Sequence, residues 1–582
     1  YSEVANWRRV PGRSMIRQRA RRPRKGAATD GIAMMRTLRA RFGAGEGESG
    51  SGRAALEPPS LAMAASVVAL GFLGSRLLGL VRTVAIAHQF GTSPDLDAYF
   101  VAFRIPDLIF QLLAGATLGS AFIPTFARVV TDHGDREGWR LASGVLNLLF
   151  AATLFFALVG LLLAPLLVPL TAPGLGDETG QHKELTSLAV DLTRIMMLSP
   201  LLFAVSGMFM GILNARHHFL APAFAPMFYN AAIIVGALIS SDVKVLAICV
   251  VLGAALHLAV QLPALRLVGM RWQPVWDWRD KAVREVGRLM GPRVIGLAAF
   301  HLNFVVATFF ASTVGSGAIS AVNYAWLVVM TPLGLFGMAI STAVFPRMAE
   351  QAARDEGQLQ ETVSKALRLI LYLTIPASVG LVILAKPITA FLLRSGSFDA
   401  TSTDLVVSAL VFYSIALFAH AGIEILSRGY YALSDTRTPV AFAVVSMIVN
   451  LVLSLVLVWP FGIKGLAAAL SVATIVEFTL LIRNLERRLG GLDAGHLVFS
   501  LTRTIVSSVL MAEVMLLWLA LLRLAGLLDL GRKPQAAFAV VGALALGTAA
   551  FFVTSRILRS EEADVLVQRL PLPARIRASL GG

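Results

Sequence analysis

The chain has 582 residues, of which 56% are hydrophobic and only 15% charged, with a mean hydropathy of +0.73. A soluble domain carries about 25% charged residues, so the composition excludes a soluble globular protein and, apart from local tails, a disordered one. The formal charge is +16, and residues 1–57, with 13 basic and five acidic residues, supply half of that excess.

In a chain this apolar, such a tail reads as a cytoplasmic segment beside anionic lipid, not as a partner for nucleic acid. Residues 1–57 are rich in Arg, Gly, Ala and Ser without an apolar period, which predicts disorder. The tail is too long and too basic for a cleaved signal peptide. The chain begins at Tyr1, which leaves Met34, Met35 and Met63 as candidate starts. The single cysteine, Cys249, lies in an apolar run. That rules out a disulfide framework and a paired-cysteine metal or redox site, and it reads as small-residue packing.

From Pro58 to Arg556 apolar runs follow one another. A spanning helix needs about 20 apolar residues. Fourteen segments qualify: 60–88, 96–128, 141–170, 186–213, 219–240, 244–268, 284–313, 317–346, 363–393, 404–432, 438–459, 463–485, 497–524 and 535–557. The predicted fold class is an all-α polytopic membrane protein. Short loops leave no room for a soluble catalytic domain. With six flanking residues included on each side, the odd-numbered loops carry seven Lys and Arg and the even-numbered loops nineteen. The positive-inside rule then places the even loops and both termini in the cytoplasm.

The stretch Leu113-Ala-Gly-Ala-Thr-Leu-Gly-Ser-Ala-Phe-Ile-Pro124 aligns without a gap on Leu335-Phe-Gly-Met-Ala-Ile-Ser-Thr-Ala-Val-Phe-Pro346. A looser echo joins Arg216, Pro222 and Asn230 to Arg437, Pro439 and Asn450. Segment 2 thus matches 8, and 4–5 match 10–11. The expectation is two six-helix bundles in parallel pseudo-repeat, 58–270 and 271–490, a transporter architecture with a path between the halves. Residues 491–557 add two helices, and 558–582 form a cytoplasmic C-terminal tail.

A charge at the bilayer centre costs about 2.5–3.5 kcal/mol on insertion scales, so it should face a cavity or a partner. Segment 1 carries Arg76 and Arg82 with no acid in the same helix, and six residues put them about 120° apart. Segment 2 carries Asp97, Arg104 and Asp107, spaced for pairing on one face. Segment 7 carries Arg293, then His301 and Asn303; segment 10 carries His420, Glu424 and Arg428 at four-residue spacing. Glu424 and Arg428 read as a gating or structural pair, and Asp191 with Arg194 as a structural one. Glu477 has no evident mate, and His257 reads as a hydrogen-bonded packing residue. Arg76, Arg82, Arg104 and Arg293 outnumber Asp97 and Asp107, so a wet cavity lined by them would focus positive potential and attract an anion. The planar guanidinium suits phosphate or carboxylate, whereas a cation exporter would want acids there.

Ser75-Arg-Leu-Leu-Gly79 with Arg82, Phe90-Gly91, Asp97-Ala-Tyr-Phe-Val-Ala-Phe-Arg-Ile-Pro-Asp107, Thr171-Ala-Pro-Gly174, Ala221-Pro-Ala-Phe-Ala-Pro226, Met290-Gly-Pro292, Phe345-Pro346 and Tyr430-Tyr-Ala-Leu-Ser-Asp-Thr-Arg-Thr-Pro439 resemble the MurJ (MviN) family over about residues 60–557. That family belongs to the multidrug/oligosaccharidyl-lipid/polysaccharide exporter superfamily. The resemblance implies a flippase for lipid II, the undecaprenyl-pyrophosphate-linked peptidoglycan precursor, in the bacterial cytoplasmic membrane. It implies substrate binding at Arg76, Arg82, Asp97 and Arg104, to which the charge pattern adds Arg293, and a lipid-tail groove formed by segments 13 and 14. It implies cell-wall synthesis proteins as partners, no cofactor and no enzymatic step. The chain departs from the family at Phe110 and Gln111 and at Trp326, Leu327 and Met330, where many members carry charges. Ala307, Asn450 and Ser454 stand where some members bind sodium, so no metal site is expected. The alternatives are an exporter of another polyprenyl-linked glycan, a multidrug antiporter, or an enzyme on lipid-linked sugar using Asp95-Leu-Asp97.

Overall fold

A computed structural model describes residues 61–113 and 116–569, and among them there are helices and no strand. The expected tail 1–57, and residues 570–582 of the expected C-terminal tail, therefore lie outside the described residues. In the first half the helices are α1 (Leu61–Phe90), α2 (Pro94–Leu113), α3 (Ala116–His133), α4 (Asp135–Thr171), α5 (His182–Met196), α6 (Leu198–Ala215), α7 (Leu220–Ile239), α8 (Val243–Ala259) and α9 (Leu262–Leu267). The second half holds α10 (Lys281–Ser312), α11 (Ala318–Pro332), a π-helical turn (Leu333–Met338), α12 (Ala339–Arg354), α13 (Glu356–Ile383), α14 (Ala385–Leu393), α15 (Ala400–Ile415), α16 (Leu417–Ala432), α17 (Arg437–Phe461) and α18 (Ile463–Arg488). The chain continues through α19 (Ala494–Leu524), α20 (Lys533–Ile557) and α21 (Glu561–Arg569).

Among the described residues ten helices are long and apolar enough to cross a membrane, or eleven with α15 and α16, bent by 46°, as one span. That count is below the fourteen expected. The first, second and seventh segments lie outside it, and each contains side chains that are not described.

The pairing of helices in the first half recurs in the second. α1 packs on α7 as α10 packs on α17; α2 and α3 pack on α5 and α6 as α11 and α12 pack on α15 and α16. α4 meets α5 and α6 as α13 meets α15 and α16, and α7 pairs with α8 as α17 pairs with α18. Helix breaks recur as well. Segment 4 breaks at Met197 and segment 10 at Ala416, and segment 8 has its π-helical turn from Leu333. Such turns interrupt the regular ladder and concentrate at functional sites.

Loop contacts sort by number. Odd loops meet odd loops: Ser397 N donates to His88 O (2.8 Å), and Gly174 N to Ser312 Oγ (3.2 Å). Even loops and their flanks meet even ones: Arg216 pairs with Asp135 (2.6 Å), Arg128 with Glu285, and Arg488 with Asp435 (2.6 Å).

Packing follows the apolar pattern with an inverted logic. On α17 the faces turned outward are Val452, Leu455, Val456 and Trp459, whereas Ser446, Asn450 and Ser454, four apart, are buried. That is the arrangement of a helix in lipid, where small and polar residues make the contacts between helices. Cys249 is buried against Gly236, as small-residue packing requires. α19 and α20 pair with each other and lean on α13 and α14. α21 is tied back to α13 and α19 by Arg368–Glu561 (3.2 Å) and by Ser500 Oγ donating to Glu562 (2.9 Å).

Candidate functional site at the meeting of the two halves

Asp97 belongs to the first turn of α2, and its carboxylate is buried across the boundary, at the start of α11. It accepts from Gly317 N (2.6 Å), Ser320 N (2.7 Å) and Ser320 Oγ (2.6 Å). An anionic side chain at a helix N-terminus satisfies orphan N–H groups and complements the helix dipole. Asp97, expected among the substrate-binding residues, is thus placed in this structure against the second half. Both its oxygens are occupied by the second half, because the chain reversal before α11 aims its amides at α2.

Around Asp97 the backbones of the two halves approach closely. Tyr324 OH donates to Gly91 O (3.1 Å), and Thr92 and Ser402 share a hydrogen bond (2.9 Å). Gly91 has φ +58°, and a Cβ there would lie 2.4 Å from Ser397 O. Gly317 has φ +81°, and a Cβ there would lie 2.6 Å from Thr92 O. Only glycine combines that backbone with that clearance. Loops 1, 3, 7 and 9 therefore form one seal between the halves.

The arginines are held differently. Arg76 is exposed; its Nη2 lies 4.0 Å from Met338 Sδ, against the π-helical turn of the second half. Arg82 is half-buried and faces the first half, 6.0 Å from the Tyr229 ring centroid. The two diverge as their spacing requires. Arg104 reaches into the second half, with Nε donating to Thr308 Oγ1 (2.8 Å) and Nη2 to Asn323 Oδ1 (2.9 Å), 5.5 Å from the Phe304 ring. No ion pair joins it to Asp97 or Asp107 among the described residues, which corrects the expected pairing on the α2 face; Asp107 accepts from Gln111 instead (3.4 Å). Arg293 lies on α10, but its side chain is outside the described residues. Glu424 and Arg428 do pair (2.6 Å), and Arg428 also donates to Thr342 Oγ1 (3.2 Å).

At the positions where some relatives bind sodium, Asn450 Nδ2 donates to Asn303 Oδ1 (2.9 Å) and Ser454 Oγ to Asn450 Oδ1 (3.3 Å). His257 is hydrogen-bonded to Ser206 (2.6 Å), as a packing histidine would be.

A cavity of about 190 Å³ opens in the second half. Arg104, Asn303, Trp326, Tyr413, His420 and Glu477 are among its walls, and Met338 connects it to the side where Arg76 lies. Sequence reasoning missed Thr308, Asn323 and Tyr413 as members of this site. The signal that could have found them was polar side chains spaced at helical intervals in apolar helices, such as Thr474 and Glu477 beside Ser446 and Asn450.

Broken helices, paired halves and charges at the boundary define a polytopic transporter built on an internal repeat. The structure resembles a solved lipid II flippase MurJ in an inward closed conformation, with TM-score 0.71, 23% identity, and coverage of 84% of this chain and 98% of that one. It also resembles an inward-facing multidrug resistance MATE transporter of the MOP superfamily, with TM-score 0.59, 16% identity, and coverage of 74% and 99%. A family model described as lipid II flippase MurJ matches residues 86–528. The lipid II flippase MurJ of Burkholderia cenocepacia is 33% identical over 71% of this chain and 81% of its own. The probable lipid II flippase MurJ of Rhizobium meliloti is 31% identical over 77% and 85%. The chain belongs to the MurJ lipid II flippase family.

Proposed function

We propose that this chain flips lipid II, or a closely similar polyprenyl-pyrophosphate glycan, from the inner to the outer leaflet by alternating access, without covalent chemistry. One observation carries the reading: Arg76 and Arg82 stand on one apolar helix at the boundary of the halves, Arg76 reaching the Met338 thioether of the second half and Arg82 lying beside the Tyr229 ring of the first, while the Asp97 carboxylate is committed to the seal. Arginines placed so offer planar, charged donors that suit a pyrophosphate. Arg104 and Arg293 act as secondary contacts. The uncharged Phe110, Gln111 and Trp326 leave these arginines as the anion site.

The reading includes fourteen crossings with both termini cytoplasmic, halves at 58–270 and 271–490, and a groove between the helices of 491–557 for the polyprenyl chain. The sorting of odd loops with odd and even with even supports one crossing per segment. The nineteen-to-seven excess of basic residues supports a cytoplasmic even side. The seal then lies on the external face and the arginines below it. The basic tail meets anionic lipid, and cell-wall synthesis proteins are its partners. Cysteines placed singly at Asp135 and Asp177 in a Cys249→Ser background test the orientation: external labelling at Asp177 alone is expected. The function is tested by complementing a MurJ-depleted bacterium and measuring outer-leaflet lipid II. Absence of rescue with normal membrane abundance overturns it, and rescue by a different lipid-linked glycan points to the paralogous exporter.

A further inference from the structure

The cavity in the second half is lined by a guanidinium and a carboxyl group that do not meet. Arg104 enters from α2, and Glu477 comes from α18 on the far side, beside Ser446. No ion pair joins them among the described residues. The other ionisable groups lining the space are Tyr413, Glu424, paired with Arg428, and His420, whose Nε2 lies 3.4 Å from Thr474 Oγ1; Asp107 and His301 act on Arg104 from its own side. Between the two groups the wall is aromatic. Trp326 stands edge-on to Tyr413 (5.7 Å) and to Phe304 (5.6 Å), and His420 packs on it at 5.3 Å.

A guanidinium and a carboxyl group held apart in a low-dielectric space can both be engaged by one bridging group that carries the complementary pair. Rings beside a carboxylate are the chemistry that holds an ammonium, and a guanidinium already fixed by two hydrogen bonds is the chemistry that receives a carboxylate. We infer that this cavity is a second subsite for a zwitterionic amino-acid end, its ammonium against Glu477 and the aromatic wall, its carboxylate against Arg104.

The inference rests on the lipid-linked reading above. It adds that the peptide borne by the head group is read by the second half while the pyrophosphate is held from α1. The same zwitterion could come from a free amino acid, and the experiment separates the two sources. Full-length protein in proteoliposomes is given lipid II with meso-diaminopimelate in its stem, or the same lipid with the free amine acetylated. The free form is expected to move about tenfold faster, the effect of one desolvated charge contact. Glu477→Gln is expected to bring that ratio close to one.

Binding of free lysine to the wild type and to Glu477→Gln is measured alongside by calorimetry. Lysine binding abolished in Glu477→Gln, with equal movement of the two lipids, assigns the cavity to a free amino acid. Equal movement in the wild type together with no lysine binding overturns the inference without touching the flippase reading. An unchanged ratio in a folded Glu477→Gln overturns it too. Movement of neither lipid by the wild type defeats the flippase reading instead, and the lysine arm still decides the cavity. The wild-type comparison holds even where the variant fails to fold.

Discussion

The seal and the arginine region lie on the same two helices, α1 and α2, and are built on opposite principles. At the seal every contact is short, directional and mostly made by backbone: the Asp97 carboxylate accepts three hydrogen bonds of 2.6–2.7 Å, and Gly91 and Gly317 let chains touch. Arg76 reaches a thioether at 4.0 Å and Arg82 a ring at 6.0 Å, contacts of longer range and softer character than those of the seal. Directional contacts give one arrangement a defined energy and break all at once. Soft contacts give way to a better partner at little cost. A transporter needs both, a gate with two states and a site whose side chains can change partners.

The arginine side of the comparison predicts the largest effect. Arg76→Ala and Arg82→Ala should abolish flipping, by about 10–100-fold for each charge-assisted hydrogen bond to substrate that is removed, with membrane abundance near normal. Lysine should rescue only in part, because it keeps the charge and loses the planar fork. Translocation and abundance measured in the same cells decide this, and normal flipping by Arg82→Met would break the distinction between the two regions.

The seal should respond by changing its equilibrium. Asp97→Asn keeps the shape but cannot accept at both positions as an anion, and Gly91→Ala places a Cβ 2.4 Å from Ser397 O at φ +58°. Removing charge-assisted hydrogen bonds of this kind costs about 1.5–3 kcal/mol, or about 10–100-fold in population. A cysteine at Ala318, 1% exposed beside the seal, should react correspondingly faster with an impermeant thiol reagent in either variant. Unchanged reactivity would show that the seal does not depend on these contacts.

Asp435 is a control, a directional cluster outside both regions. Burial pushes its carboxyl up, but hydrogen bonds from Thr438 N, Thr438 Oγ1, Arg488 and Arg437 N outweigh that and hold it below the ordinary range. Because the folded value is lowered, the stabilisation is present above the unfolded value of about 4 and is lost as pH falls through the folded one. Asp435→Asn should cost about 1 kcal/mol in thermal unfolding at neutral pH, less at acid pH, with flipping retained. Deleting residues 1–57 should do least, since that tail holds no residue of either region; normal flipping and insertion are expected, and loss of activity with normal insertion would overturn this.

The helical segments, their repeat and the arginines of α1 were legible in the sequence, because each is a local property. A run of apolar residues is helical in lipid whatever surrounds it, and a charge inside such a run is conspicuous by its position alone. The partners were not legible. Asp97 and Arg104 share a face of α2, and spacing alone pairs them; the structure gives Asp97 to the amides of Gly317 and Ser320, 220 and 223 residues on, and Arg104 to Thr308 and Asn323. Glu477 was visible only as a charge without a mate until α18 and α2 were seen to face one cavity. Sequence by itself determined which helices form and where charge must be accommodated. Only the tertiary structure decided what accommodates it, because a carboxylate or guanidinium takes the best donors or acceptors in reach, and those are brought near by packing between the halves, not by distance along the chain.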